Sequence, residues 1–425
     1  MHTASRTRRI AFLVSILSCF GLFSCSSARM NDTESDALFR SGRYEASSTR
    51  LRAGLEKEGV DGRDGLLYLL DLGLSEHSAG KVDEAIKAFR LADQTAEIKD
   101  YTSLSTETAT LLTTDQIKQY KGEDFENVLI NVYLAMDYAA KGDRESAIVE
   151  AKRVNRKLYL MNTEGKRKYA QNAFARYLSG ILYEADRNYN DAYVDYKLTA
   201  ELLPKFPGIG RDLWAMAWKM GDRDDRERWE KEFPITEAEK NAAKARVSLA
   251  RPAEIVVLYE NGISPRKIPD AGFHSIPKFF PRANPVKVGM ASVSSDPSGE
   301  SFEAKTNVLM DIEAVAIENL REKWGGLLAK KLAGAGLKIG LGAYVNSKTK
   351  DSGLGTLLAL ALDASDQADT RSWNLLPRDL QVARFPVKGG TYTVKLSPLG
   401  ASPLPAKTVQ VKPGEKAFVT FRYMP

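Results

Sequence analysis

Residues 134–155 read Leu-Ala-Met-Asp-Tyr-Ala-Ala-Lys-Gly-Asp-Arg-Glu-Ser-Ala-Ile-Val-Glu-Ala-Lys-Arg-Val-Asn. Leu134, Ala135 and Tyr138 keep the three- and four-residue spacing of one helix face, and Ala147, Ala151 and Val154 repeat that spacing beyond Gly142. The stretch therefore predicts a helix, a glycine-containing turn, and a second helix. The same order stands upstream as Leu69, Leu72, Gly73, Gly80, Ala85, Phe89 and Ala92, and downstream as Gly180, Tyr183, Ala192, Tyr196, Thr199 and Pro204. Small residues such as Gly73 and Ala85 let two antiparallel helices approach closely, with Leu72 and Phe89 filling the space between. Pro204 falls where a second helix should stop. A looser instance, Ser41-Gly42-Arg43-Tyr44-Glu45-Ala46, precedes these and is one residue short in the turn. A degenerate one follows, with Trp214, Trp218 and Gly221-Asp222 but Arg226 in place of alanine, as suits a terminal helix with a polar outer face. Residues 93–127 and 156–172 interrupt the series, and 100–114 is rich in Ser and Thr, as a loop or N-cap region would be. Residues 32–248 are read as mainly helical; the plainer alternative is a helical bundle in which Ala and Gly mean only tight packing.

The order Gly, Ala, aromatic, Ala within about 34 residues resembles a tetratricopeptide repeat. The resemblance implies stacked helix pairs with a concave face that receives peptides or partner domains. On that reading Asn127, Asn131, Tyr138, Asn172, Arg176 and Tyr183 are candidates for polar groove-lining residues; the alternative for each is a solvated or inter-repeat position. The charged runs at 221–228, Lys152-Arg153 and Arg156-Lys157 read as solvated faces.

At Arg251-Pro252 the composition changes. Residues 254–259 are apolar and β-branched and run into Asn261-Gly262, a turn signal. Residues 286–293 read as another strand. Tyr392, Val394 and Leu396 share one strand face, Val409 and Val411 the next, and Ala417, Val419, Phe421 and Tyr423 the last, after a turn at Pro413-Gly414. Short antiparallel strands joined this way suggest a small β-sandwich. Between the strands, Ile312, Val315, Ala316, Leu320, Trp324, Leu327 and Leu328 have helical spacing within 307–343, and a second apolar stretch covers 354–362. The expectation is a helical hairpin at about 307–362. Its Gly334-x-Gly336 and Gly340-x-Gly342 do not match a dinucleotide or phosphate loop. They suit close helix contact, or a membrane-facing surface with Lys330, Lys331 and Lys338 near head groups. Asp369 and Arg371 read as a polar anchor where helix meets strand, or with Trp373 as a recognition patch. The fold expected is α+β and multidomain: a tetratricopeptide-like helical repeat domain over 25–250, and a β-sandwich-like domain over 251–425 with the inserted hairpin.

The chain begins with Arg6, Arg8 and Arg9, then an apolar run over 10–23, with no acidic residue before Asp32. This is a secretory signal, too short for an ordinary spanning helix. The run ends in Leu22-Phe23-Ser24-Cys25, which resembles the lipobox of bacterial lipoproteins, with Phe23 in place of the usual smaller residue. The resemblance implies a signal peptide over 1–24, cleavage after Ser24 and diacylglycerol on the Cys25 thiol; more than one acyl chain makes such an anchor stable. Ser26 after the lipidated cysteine implies an outer-membrane address facing the periplasm under the sorting rule of enteric bacteria. Loss of the three signal-peptide arginines lowers the formal charge from +6 to about +3, which gives no case for nucleic acid. Cys19 and Cys25 are the two cysteines. Cleavage and acylation would leave no thiol, and His77 and His274 lie far apart, so no Cys/His metal site and no cofactor are expected. No later stretch holds 18 unbroken apolar residues.

The lipobox, the 134–155 stretch and Ala368-Asp-Thr-Arg-Ser-Trp-Asn-Leu-Leu-Pro377 together resemble a family of proteobacterial tetratricopeptide-repeat lipoproteins. Some members are encoded near a lipoprotein that activates a penicillin-binding protein. The resemblance implies a membrane-anchored scaffold with an envelope protein partner, the peptidoglycan-synthesis machinery among the candidates, and transfers no catalytic residue. Two other readings stand beside it: an outer-membrane or lipid-biogenesis component acting through the Gly-rich hairpin, and a cell-wall enzyme, which lacks any Ser-His-Asp set, zinc motif or Gly-x-Ser-x-Gly to support it.

Overall fold

Five times along the helical half a helix ends on a residue in the left-handed region and the next helix starts at once. The pairs are α1 (Thr33–Arg40) with α2 (Tyr44–Glu58), α3 (Gly65–Ser78) with α4 (Val82–Thr102), α5 (Asp124–Lys141) with α6 (Arg144–Thr163), α7 (Ala173–Ala185) with α8 (Tyr189–Leu202), and α9 (Ile209–Met220) with α10 (Arg223–Glu232). The left-handed residues are Gly42, Gly80, Gly142, Arg187 and Gly221. In each turn two N–H groups fold back on the preceding helix, as when Gly142 donates to the Ala139 carbonyl at 3.1 Å and Asp143 to that of Tyr138 at 2.9 Å. Asn188 donates to Tyr183 at 2.9 Å in the same way. Glycine holds this conformation without a Cβ clash; Arg187, at φ 62°, holds it against one.

The computed structural model describes residue 29 and residues 32–102, 119–163, 172–248, 253–272, 274–295, 299–349 and 367–425, with the backbone alone at 98–102, 162–163 and 334–349. Cys25 and the signal segment lie outside the described residues, as does most of the Ser/Thr-rich stretch at 100–114.

Within pairs the close approach is real. A Cβ on Gly73 would lie 2.5 Å from the Phe89 ring, and one on Gly180 would lie 2.6 Å from that of Tyr196. The two contacts join equivalent positions, because the interval along the chain is the same. Ala135 and Ala151, both buried, hold those positions in the pair between them. The helical half is thus a tetratricopeptide-like array, closed by α11 (Glu237–Arg246), whose Thr236 and Glu239 form a capping box.

The second half contains two four-stranded sheets. One has the order β10 (Lys416–Tyr423), β1 (Ala253–Asn261), β7 (Asp379–Val387), β6 (Asn307–Asp311). The other has the order β5 (Ser301–Lys305), β4 (Gly289–Ser295), β8 (Gly390–Pro398), β9 (Lys407–Val411). A small ribbon pairs β2 (Arg266–Pro269) with β3 (Pro277–Phe280). Ile255, Val257, Tyr259, Val293, Phe385, Val394, Leu396 and Phe421 fill the space between the large sheets, making a sandwich. One pairing departs from the antiparallel expectation: β10 runs parallel to β1, with Glu254 opposite Lys416 and Asn261 opposite Tyr423. The turn at Pro413-Gly414 carries the chain from one sheet to the other, so β10 returns beside β1 in the same direction.

The inserted element also differs from expectation. Residues 307–311 are strand β6, because they pair with β7 and bury Leu309 and Met310. Helix α12 (Ile312–Thr349) starts only after them and continues as one helix through the glycines. It is about 57 Å long at 1.5 Å per residue. The expected second arm at 354–362 lies outside the described residues. No helix among the described residues is long and apolar enough to cross a membrane.

Candidate functional site

Strand β1 is buried along its whole length. One face belongs to the sandwich core. Val256 and Leu258, on the other face, join Leu380, Val382, Phe418, Trp373, Leu375 and Leu376 in the hydrophobic cluster that also contains the interior of the helical array. The sandwich therefore seats one sheet on the first helices of the repeat pairs, the row on which such an array receives a partner. Trp373 is buried between Phe89 and Tyr133, with ring centroids 5.9 Å and 5.6 Å away.

Ions are enclosed in this contact, and most of them follow one rule: the inner helices supply acids and the sandwich supplies cations. Arg384 of β7 reaches Glu184 of α7 at 3.1 Å, Asp212 of α9 at 3.4 Å and Glu254 of β1 at 2.7 Å. Arg246 meets Glu184 at 3.0 Å and Asp212 at 2.5 Å, and Lys416 meets Glu184 at 3.0 Å and also Glu254. Three cations face three carboxylates, and none of the six side chains is more than 9 % exposed. Burial alone would raise the Glu184 and Glu254 carboxyls. Arg246, Lys416 and Arg384 outweigh it at Glu184 and hold that group well below the usual range. Arg384 and Lys416 bring Glu254 down to about 2.

A second cluster lies on α3 and α5. The His77 Nδ1 is 2.5 Å from Asp137, and its Nε2 is 3.5 Å from Glu260 of β1, an ion-pair distance. Burial pulls the imidazole pKa down; the two carboxylates overcome this and raise it to about 10. A His–carboxylate set could suggest hydrolysis, but this one is enclosed, with the imidazole 4 % exposed, and it joins helix to strand.

The third cluster leads to the surface. Asp64 accepts the Arg29 backbone N–H at 2.9 Å and the Arg371 Nη1 at 3.0 Å. Arg371 also closes on Asp369 through Nε at 2.8 Å and Nη2 at 2.7 Å. Its guanidinium stands over the Tyr120 ring. Glu126 accepts the Trp373 N–H at 2.8 Å and the Tyr120 hydroxyl; burial and neighbouring Glu123 push its carboxyl up to about 7. Glu123 pairs with Lys267 at 2.7 Å and with Lys323 of α12 at 3.0 Å; burial would raise it, but the two lysines bring it down to about 2. Beyond these pairs opens a cleft of about 290 Å³ at the foot of α12. A larger groove of about 960 Å³ follows the seam between the α5–α6 turn, α6, α7 and the β9–β10 turn.

The residues named as groove-lining sit as follows. Asn131 is buried and donates to Glu150 of α6 at 2.8 Å. Asn172 caps α7 by accepting from Ala175 at 2.9 Å. Arg176 meets Asp195 of α8 at 3.3 Å. The Asn127 side chain donates to the Lys121 carbonyl at 3.4 Å. Tyr183 is buried, and Tyr138 packs against the core. The side chains that meet the sandwich from these helices are instead His77, Glu126, Tyr133, Tyr177, Glu184 and Asp212. A signal for two of them was present: Glu184 and Asp212, like Asp71, are single acids in mostly apolar helix stretches. Among the described residues no group of three or more His, Cys, Asp or Glu is placed to hold a metal ion.

Stacked helix pairs carrying a sandwich define a repeat protein with a built-in second domain. Among solved structures, the helical half is similar to MamA, with 16% identity over 50% of this chain and 96% of that one, at a TM-score of 0.32. It is also similar to a kinesin light chain from Podospora anserina with nearly identical TPR-like repeats (11% identity, 52% and 96% covered, TM-score 0.32). A third is BtubC from P. vanneervenii (15% identity, 50% and 76% covered, TM-score 0.32). Likenesses at this level carry no functional argument. No protein-family model and no curated protein matches the sequence.

Proposed function

We propose that the chain is a lipid-anchored scaffold of the bacterial cell envelope. Export removes residues 1–24, Cys25 is acylated, and Ser26 directs the protein to the periplasmic face of the outer membrane. The basic start, the apolar run and the lipobox-like Leu22 to Cys25 support the anchor.

The observation that carries the reading of the body is the closure of the inner helix row by the chain's own sandwich. With that row covered, a protein partner meets other surfaces. Most exposed large apolar side chains described in the array fall on the second helices of the pairs: Leu91 on α4, Val149, Tyr159 and Leu160 on α6, and Val194 on α8, with Met220 at the end of α9 the exception. The outer row is therefore the face for an envelope partner, and the peptidoglycan-synthesis machinery is the partner class the resemblance suggests. Photo-crosslinking residues placed at Val149 and Val194 in cells, followed by mass spectrometry, test this. An envelope protein trapped from these positions is expected; adducts from the inner row at His77 with none from the outer row would overturn it. The mass of the mature N-terminus tests the anchor separately, since an unmodified Cys25 contradicts it.

A further inference from the structure

We propose that Arg282, with Arg40 and Arg266 beside it, forms a binding site for a phosphate group. The site stands apart from the outer helix row and rests on neither the scaffold reading nor the lipid anchor.

The first argument is an unmatched guanidinium. Several arginines keep a buried nitrogen that finds no acceptor. Arg29, Arg63, Arg176, Arg211 and Arg246 nevertheless each have a carboxylate within ion-pair distance. Arg422 donates to the Leu375 carbonyl at 3.0 Å. The Arg282 Nη1 is buried too, and among the described residues the Arg282 side chain meets neither a carboxylate nor a carbonyl. A charged donor kept from water without an acceptor is costly, so such a group stands ready for an anion that brings one.

The second argument is that its neighbours are cations. Arg266 of β2 lies directly opposite Phe280 of β3, so the two share one face of the ribbon, and both are exposed. Lys267 and Phe279 are buried on the other face. Arg282 follows Phe280 by two residues, and Arg266 stands near enough to repel it. Arg40, the last residue of α1, repels it from the helical half. Asp36 opposes this repulsion, but one of its oxygens is taken by Arg29 at 2.7 Å and the other lies 4.0 Å from Arg40. Burial, then Arg40 and Arg266, bring the Arg282 pKa down from 12.5 to about 10. Arg29 and Arg246, which have their carboxylates, move the opposite way. An anion among the three guanidiniums would supply the missing acceptor and cancel the repulsion. Guanidinium forks match phosphate oxygens in pairs, and three cations against one shared carboxylate leave charge for a dianion.

The third argument is that the backbone is set in advance. Pro281 and Pro285 bracket the segment, and each fixes its own φ. Asn284, buried between them, accepts the Ile263 N–H at 3.0 Å and donates to the Ile263 carbonyl at 3.1 Å and the Arg282 carbonyl at 3.2 Å. The Arg282 backbone is thus fastened to the turn that follows β1. Order already present in the free protein is not lost on binding.

The test uses the mature-length chain with Cys25→Ser, which carries no lipid, titrated calorimetrically with inorganic phosphate, with glycerol 3-phosphate, and with acetate as a carboxylate control. One saturable site per chain is expected for the phosphate probes, with acetate at least tenfold weaker. Tighter inorganic phosphate would support the site with free phosphate as its ligand, and tighter glycerol 3-phosphate would support it with a phosphate ester. Arg282→Gln should weaken binding at least tenfold. Arg282→Lys, which keeps the charge and loses the fork, should fall between that variant and the wild type. Thermal unfolding at constant ionic strength reads the same site: phosphate should raise the Tm of the wild type more than that of Arg282→Gln. Without phosphate, Arg282→Gln should melt no lower than the wild type, because it removes an unmatched charge. A lower Tm there would overturn the proposal, since the guanidinium would then be holding the fold. So would the absence of saturable phosphate binding, acetate binding as tightly as phosphate, or binding undiminished in Arg282→Gln.

Discussion

The inner face of the repeat array and the cleft at the foot of α12 are built from the same materials and do different things. Both join acids and cations of the helical half to those of the sandwich half. On the inner face the account closes: Arg384, Arg246 and Lys416 meet Glu184, Asp212 and Glu254, all out of water. At the cleft, Lys267 and Lys323 meet Glu123, Lys323 also meets Asp124, Arg371 meets Asp369 and Asp64, and several of the lining cations are half-exposed. A balanced, enclosed network has nothing left to offer a ligand and serves to hold two domains in one arrangement. Pairs at the open cleft stand partly in water, where an ion pair contributes less. Charge clusters in this molecule are thus sorted by exposure rather than by residue type.

The comparison breaks most readily at Arg384. Arg384→Ala takes one cation from three buried carboxylates and leaves only Arg246 and Lys416 to hold them, and loss of one partner from a buried network typically costs about 3–5 kcal/mol. Denaturant titration should show that loss, with the helices and the strands weakened together. If Arg384→Ala changes stability by less than about 1 kcal/mol, the network does not hold the halves.

Acid gives the next largest effect. Glu254 is held at about 2 against an ordinary value of 4.5, so its contribution is present above pH 4.5 and fades as pH falls toward 2. A shift of that size corresponds to about 3 kcal/mol. The stability gap between wild type and Glu254→Gln should therefore be full at pH 6 and shrink through that window. His77, raised to about 10, works in the opposite direction: its contribution is complete below pH 6.5 and is lost as pH rises toward 10. A His77→Gln comparison at pH 6 and pH 9.5 reads it.

Effects confined to one repeat are smaller. Gly73→Ala places a methyl group 2.5 Å from the Phe89 ring and should cost about 1–3 kcal/mol by overpacking. Arg187→Gly relieves the one non-glycine left-handed residue among those described and should stabilise by about 1 kcal/mol. Lys330→Glu with Lys331→Glu should change stability least, by about 0.5 kcal/mol or less in a denaturant titration.

The repeats were legible in the sequence because their determinants are local: Gly73 and Phe89, like Gly180 and Tyr196, lie within one helix pair. The strands were legible where one face alternates, as at Tyr392, Val394 and Leu396. The seating of the sandwich was harder to read, although the unbroken run Ile255-Val-Val-Leu-Tyr259 already has the pattern of a strand buried on both faces. The parallel return of β10 was not legible, because it depends on a pairing between the two ends of the β-domain. Nor was the Arg384 network: Glu184 and Arg384 lie 200 positions apart, and nothing local pairs them. The acids on the inner helices are not among the polar groove positions that the sequence pattern singles out, which include Asn131 and Arg176. Those two side chains instead meet Glu150 and Asp195 within the array.

The central claim is that the sandwich closes the inner row and makes one cooperative body of the two halves. Hydrogen–deuterium exchange of the mature chain across a denaturant series tests it directly. Peptides covering β1 and those covering α5 and α7 should lose protection in a single shared transition, with the Trp373 amide among the slowest. Two separate transitions, with the inner helices exchanging independently of β1, would contradict it.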